Sequence, residues 1–473
     1  MTRANESSRR TFIDKLASAN SRNVARWTLD RVLGVRHWLS WHAARLRMAA
    51  YELLPLRGRL PPGSLTSSSF ADATRDDRFY LKQFHRHGPI FKLFWGSKHL
   101  KICIVGYPLA RRLLHQHSSF LGPVMTTSIA SLVPADYLRG MSPAIHPRYR
   151  TLFVGALRND LIVGCEADIR HIIRDELNRL VELVRSESPP ALLLREALDR
   201  TTMRLLFLVV LGVRPNAEMF PRLAAAYHRL GPDGHVSAVG SEQRAAFQAI
   251  RDMVLQIVES LQHVGATQFS DSVLSRLTLA VEPLIDDTVI GNVIYMVERG
   301  RHDFRDLLRW LVKHLCDNPA VVIELRADAS MPGTNPRLAE ACVMESLRLE
   351  QAEAVGREVV VPFTLEGYHV PKGSWVGALM REAHQDPNVF PEPDRFRPQR
   401  FLERTYSANE YSPFGIDEHQ CIARSLTIRA GTMFVDELVR GYSWTVATDG
   451  ARTFNGIHWQ PSPSFGIDIR RKP

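Results

Sequence analysis

At 473 residues, with 45% hydrophobic and 23% charged side chains, the chain has the size and composition of a large globular body. That excludes a small disulfide scaffold, a collagen-like repeat and a mostly disordered chain. The net charge of +10 would suit nucleic acid or an anionic membrane if it were evenly spread, but residues 1–59 carry 12 basic and 4 acidic side chains, which leaves an excess of two for residues 60–473.

The first twenty residues lack the apolar core of a secretory signal. From Ser21 to Arg59, Trp27, Trp38 and Trp41 are interleaved with arginines, without an apolar run long enough to span a membrane. Three readings stay open for this segment: a basic amphipathic helix in peripheral contact with an anionic membrane, a helix or arm belonging to the protein's own surface, and a transit peptide. Nucleic-acid binding is not expected. Pro61-Pro62-Gly63 and the serines after it mark the start of the body, dividing the chain into an N-terminal segment, 1–60, and one large domain, 61–473.

Next come two strand-like runs, Ile90–Phe94 and Leu100–Val105, bridged by Gly96-Ser97-Lys98 in the pattern of a hairpin. Helical periodicity dominates thereafter. Its longest stretch runs from Ile285 to Cys316, with an apolar stripe through Val289, Val293, Val297, Phe304, Leu308, Leu311 and Leu315 that is interrupted around Gly300 to Asp303. Asn318-Pro319 stops it. The predicted fold is mainly α with small β-sheets.

Chemistry-bearing patterns gather in the C-terminal third. Glu345-Ser346-Leu347-Arg348 places a carboxylate and a guanidinium on one helical face, a pattern that alone reads as a surface ion pair. A Pro- and Arg-rich stretch from His384 to Phe401 follows. Tyr411 to Ala423 then delivers Cys421 just ahead of a helical pattern from Arg424 to Val439. A cysteine there faces unpaired amide N–H groups and the positive end of the helix dipole, which favour thiolate. The five cysteines are dispersed and contain no CxxC pair, which favours a reducing, cytoplasmic setting over a disulfide framework.

In this order and spacing the three elements resemble the cytochrome P450 family of haem-thiolate enzymes. The resemblance implies a large helical domain enclosing haem b (iron protoporphyrin IX), with Cys421 as the thiolate ligand of the iron. It implies that Glu345, Arg348 and Arg400 form the family's structural triad. His146 and Arg150, in His146-Pro147-Arg148-Tyr149-Arg150, stand at the family's Trp-x-x-x-Arg motif, and with Arg357 and His419 they would meet the haem propionates.

The sequence departs from the family where oxygen is normally handled. The window that usually carries an acid–alcohol pair falls on Arg299-Gly300-Arg301-His302-Asp303-Phe304. Neither register supplies a threonine, leaving His302 and Asp303 as the candidate proton-handling groups, with an ion pair from Asp303 to Arg299 or Arg301 as the structural alternative. Ile416-Asp417 and Ala423 replace customary glycines around the cysteine. The activity implied is monooxygenation of an apolar or amphipathic small molecule, with electrons from a separate ferredoxin or flavin reductase, since no flavin or iron–sulfur segment follows. A peroxide-using or isomerase-like enzyme and a non-catalytic haem protein are the alternatives.

Overall fold

The long apolar stripe becomes a helix of 31 residues, Asp287–Asp317, which runs through the centre of the molecule in this computed structural model. The structure describes residues 58–63, 72–95, 99–122, 128–184, 188–231, 239–264, 270–281, 285–329, 337–351, 354–454 and 458–473, with His42, Ala43 and Leu46. The expected amphipathic segment of residues 21–59 thus lies almost wholly outside the described residues, as does the 96–98 bridge. Among the described residues no helix is long and apolar enough to cross a membrane.

In chain order the principal helices are α1 (Phe79–His87), α2 (Tyr107–Gln116), α3 (His146–Ala156), α4 (Glu166–Leu183), α5 (Pro190–Leu206), α6 (Met219–Leu230), α7 (Ser241–Val264), α8 (Asp287–Asp317), α9 (Pro319–Ala329), α10 (Arg337–Ser346) and α11 (Arg424–Gly441). The strands are β1 (Ile90–Trp95), β2 (His99–Ile104), β3 (Val355–Glu358), β4 (Phe363–Leu365), β5 (Tyr368–Val370), β6 (Trp375–Ala378), β7 (Tyr442–Thr448), β8 (Thr453–Phe454), β9 (Trp459–Gln460) and β10 (Gly466–Arg471). One continuous apolar core joins α3 to α11, while two smaller clusters lie under the four-stranded sheet.

That sheet has the order β1-β2-β6-β3. The predicted hairpin forms β1 and β2, with Ile90 opposite Ile104. β6 pairs parallel to β2, so the sheet brings the N-terminal hairpin against chain 274 residues downstream, whereas β3 closes antiparallel on β6. β4 and β5 form a separate antiparallel hairpin. Its turn puts Glu366 and Gly367 in the left-handed region, with φ of 47° and 79°, as two-residue turns between twisted strands require.

Helix α8 starts where Asp286 caps it, accepting from the Val289 N–H at 2.8 Å. The break in its apolar stripe is no break in the helix. Arg301 and His302 are buried there because polar partners meet them. Arg301 pairs with Glu298, Nε to Oε2 2.9 Å, and donates to the carbonyl oxygens of Tyr227 (2.9 Å) and Gly231. Its guanidinium thereby caps the C-terminal end of α6, sharing the Tyr227 carbonyl with the Gly231 N–H, which reaches it at 3.2 Å, and taking the Gly231 carbonyl just beyond the helix.

Candidate functional site

The cysteine loop is built on a wholly buried ion network. Glu345 Oε2 and Oε1 accept from Arg348 Nε and Nη2 at 2.7 and 2.9 Å, and Oε1 also accepts from Arg400 Nε at 3.1 Å. All three side chains are at most 2% exposed. Arg348 then donates to the carbonyls of His384 (2.9 Å), Pro393 (2.8 Å) and Arg395 (3.2 Å), and Arg400 to those of Pro391 and Glu392. Buried charges of this kind are tolerable only when every donor and acceptor is used. The Pro-rich meander has little regular structure, so its carbonyls are available for that purpose.

His384 carries the network to the loop. Its Nε2 accepts from Tyr107 Oη at 2.6 Å and from the Ser412 N–H at 3.3 Å. Burial, then the Arg348 charge, pushes its pKa down to about 3, so the ring is neutral and can accept. The loop closes on itself through Ser412 Oγ to Gly415 O at 2.8 Å and the Cys421 N–H to Phe414 O at 2.8 Å. Gly415 has φ of +89°, a turn that glycine alone adopts without strain. The Ile416-Asp417 departure now has a reason. Ile416 is buried in one of the clusters under the sheet, while Asp417, with φ of 53°, binds Arg111 and His115 of α2.

The loop presents Cys421 three residues before α11, and its side chain is exposed to a cavity. Burial pushes the thiols of Cys103, Cys165 and Cys316 up to about 12, 11 and 12, and that of Cys342 up as well. These four are inert fillers of the fold.

His146, Arg150, Arg357 and His419 line the same cavity as Cys421, together with Arg139. The His146 and His419 rings lie 4.7 Å apart, and Arg150 Nη1 donates to the Gln420 carbonyl at 2.9 Å. Burial, then Arg357, His146, Arg150 and Arg139, brings His419 down to about 4, and its Nδ1 is buried without a hydrogen-bond partner. Arg357 falls to about 10, through burial and then Arg139. Cationic groups that depress one another and face a shared space make an anion site. The two propionates of haem b fit that charge, and Cys421 fits its iron.

Of the two candidate proton-handling groups, Asp303 lines the cavity. It pairs with Arg299, Oδ2 to Nη2 3.4 Å across one helical turn, and its side chain is 40% exposed. His302 is not among the lining residues. It is buried 3.4 Å from Glu298, and burial lowers its pKa. Gly300, two residues before His302, lets α8 approach α5, because a Cβ there would sit 3.1 Å from Leu206. The apolar wall comes from Leu205, Leu206, Val210, Phe304 and Leu307. Among the described residues of 113–137 and 223–248 none lines the cavity, which the chain reaches at Leu138 and Arg139 instead.

A family model described as cytochrome P450 matches residues 329–464, the stretch that holds the triad and the cysteine loop. Abscisic acid 8'-hydroxylase 4 of Arabidopsis thaliana is 23% identical over 445 residues, covering 86% of this chain and 90% of that protein. The chain is a cytochrome P450. Another relative of this P450 is 3-epi-6-deoxocathasterone 23-monooxygenase of Arabidopsis thaliana, 22% identical over 83% of this chain and 84% of its own. The fold is also that of a retinoic acid bound cyanobacterial P450, with TM-score 0.72 and 17% identity over 88% of this chain and all of that one. The enzyme is an oxidoreductase of the monooxygenase type, and haem b is its cofactor.

Sequence reasoning singled out neither His384 nor Arg139 as part of the site. The His384-Gln385-Asp386-Pro387 motif was visible, but the pairing of its imidazole with Tyr107, 277 residues away, leaves no local trace. Arg139 sits in a stretch with no periodic signal.

Proposed function

We propose that this P450 inserts one oxygen atom from O2 into an unactivated C–H or C=C bond of an apolar or amphipathic organic substrate, with electrons supplied by a separate ferredoxin or flavin reductase. The observation that carries this reading is a single cavity that holds Cys421, an anion-binding group of cations, a carboxylate and an otherwise apolar wall.

Cys421 would hold the iron, and His146, Arg150, Arg357 and His419 the propionates. When bound, haem supplies the redox chemistry of dioxygen, and the thiolate's electron donation favours O–O cleavage. The chain's own residues do the rest. Leu205, Leu206, Val210 and Phe304 exclude water and press the substrate's apolar part into the cavity. Asp303 holds and passes on a proton at its carboxylate oxygens, half in contact with solvent, while Arg299 fixes its rotamer. The Glu345–Arg348–Arg400 network keeps the cysteine loop in one geometry without touching the reacting atoms.

The peroxide-using reading keeps one specific support: the residue after Asp303 is Phe304, so no alcohol adjoins the acid. Turnover under O2 with NAD(P)H and a redox partner, compared with turnover on hydrogen peroxide alone, separates the two. Product with partner and O2 supports monooxygenation, and product from peroxide only overturns it. A reduced, carbon-monoxide-bound spectrum without the red-shifted thiolate Soret band would remove both.

A further inference from the structure

We propose that Asn292 is a positioning residue for the cofactor: it clamps the turn from Asp136 to Leu138 against α8 and so sets where Arg139 enters the cavity, on the propionate side. This rests on the haem-thiolate reading above.

The clamp is one buried side chain. Asn292 is 1% exposed. Its Oδ1 accepts from the Leu138 N–H at 2.9 Å, while its Nδ2 donates to Asp136 O at 3.2 Å and to Thr288 O at 2.8 Å. A single orientation of the amide serves all three, since the flipped one would set NH2 against N–H and oxygen against two carbonyls. Asp136 and Leu138 lie in a stretch without helix or strand, so no ladder pairs these backbone groups in place of Asn292.

The turn needs holding. Asp136 has φ of 65°, a left-handed conformation that a residue other than glycine keeps only where its surroundings over-determine it. Its own Oδ1 accepts from the Tyr137 N–H at 2.7 Å, and the two bonds from Asn292 land on either side of Tyr137. Neighbouring positions of α8 complete the grip. The Tyr295 ring stacks on that of Tyr137 at 3.6 Å, and Gly291 leaves room for Val133, whose methyl carbons a Cβ there would meet at 2.7 and 2.8 Å. Positions 291, 292 and 295 share one side of the helix.

The chain enters the cavity directly after this clamp, at Leu138 and Arg139. Arg139 lines it together with Arg357. After burial, its charge does most to hold Arg357 down to about 10, against an upward pull from Glu418, which places the two guanidiniums side by side at the anion site. An arginine on an irregular segment meets a fixed anion only as precisely as its backbone is fixed. Asn292 is bonded to that backbone one residue before Arg139, so its influence on the anion passes through Arg139.

The test is the rate at which the ferric haem-loaded enzyme gives up haem to excess apomyoglobin, a readout independent of turnover. The reduced carbon-monoxide spectrum of the wild type is recorded first, so a missing thiolate band marks failure of the haem-thiolate reading and not of this one. With the band present, Arg139→Gln and Asn292→Ala should each speed haem loss about tenfold, the scale of one charge-assisted contact. The double variant should exceed the faster single by no more than about twofold, because one contact cannot be lost twice. Val293→Ala, a truncation of a fully buried side chain at the next position of α8, is the comparison for general loosening, and its factor should multiply with that of Arg139→Gln. If Asn292→Ala does not fold, Tyr295→Leu, which unstacks Tyr137, takes its place with the same coupling expected. The proposal is overturned if Arg139→Gln or the clamp variant keeps haem at the wild-type rate, or if their factors multiply. It is equally overturned if Val293→Ala couples to Arg139→Gln as strongly as the clamp variant does.

Discussion

The two sides of the cavity are built on opposite rules. Beneath Cys421 the polar groups are saturated: Glu345, Arg348 and Arg400 exchange bonds with one another and with five backbone carbonyls, and none is exposed by more than 2%. On the cavity face of α8, by contrast, Asp303 is 40% exposed and pairs with Arg299 at 3.4 Å. The first arrangement fixes one geometry. The second keeps a carboxylate that can exchange protons. A saturated network suits a frame that must keep one geometry, and a partly exposed carboxylate suits exchange with solvent.

Cys421→Ala would break this contrast outright, since the frame would survive without its purpose. Folding should persist, the thiolate-type carbon-monoxide band should vanish, and turnover should fall to background in an NAD(P)H-driven assay. Arg348→Met attacks the frame itself. Leaving Glu345 buried with one partner fewer should cost about 3–5 kcal/mol, read as a large drop in thermal midpoint together with loss of haem.

Asp303→Asn sharpens the comparison from the other side. The expected result is an unchanged melting curve with turnover under O2 lowered roughly a hundredfold, the usual scale for a general acid–base. An unaltered rate would return Asp303 to the role of a helix ion pair.

The smallest effect is a pH dependence. The pKa of His384 is lowered in the fold to about 3, so the unfolded chain binds its proton first as pH falls. Stability from this group is complete above the ordinary imidazole range near 6.5 and declines through it towards about 3, by at most about 1.4 kcal/mol per pH unit. Denaturant midpoints between pH 7 and 4 should show a shallower fall in His384→Asn than in the wild type.

The saturated side was legible in the sequence and the open side much less so. Glu345 and Arg348 are one helical turn apart, and Cys421 stands directly before a strong helical pattern, so local spacing reveals both. Arg400 is reached only through the resemblance to the P450 family, since the meander also holds Arg395 and Arg397 and its composition favours none of the three. On α8, by contrast, the burial of Arg301 and His302 inside an apolar stripe contradicts the periodicity from which the helix is read. It becomes intelligible only once Glu298 and the end of α6 are in place. That His302 faces away from the cavity while Asp303 faces it is likewise a matter of helix rotation against α5 and α6. A window of six residues leaves two registers open.

Arg301 has a mechanical consequence as well. Its guanidinium fastens the trailing end of α6 to the very turn of α8 whose other face carries Arg299, Gly300 and Asp303. To swing that end of α6 away, the protein must either strand a buried positive charge or pull the turn along with it. The linkage therefore joins the position of that end of α6 to the turn that lines the cavity.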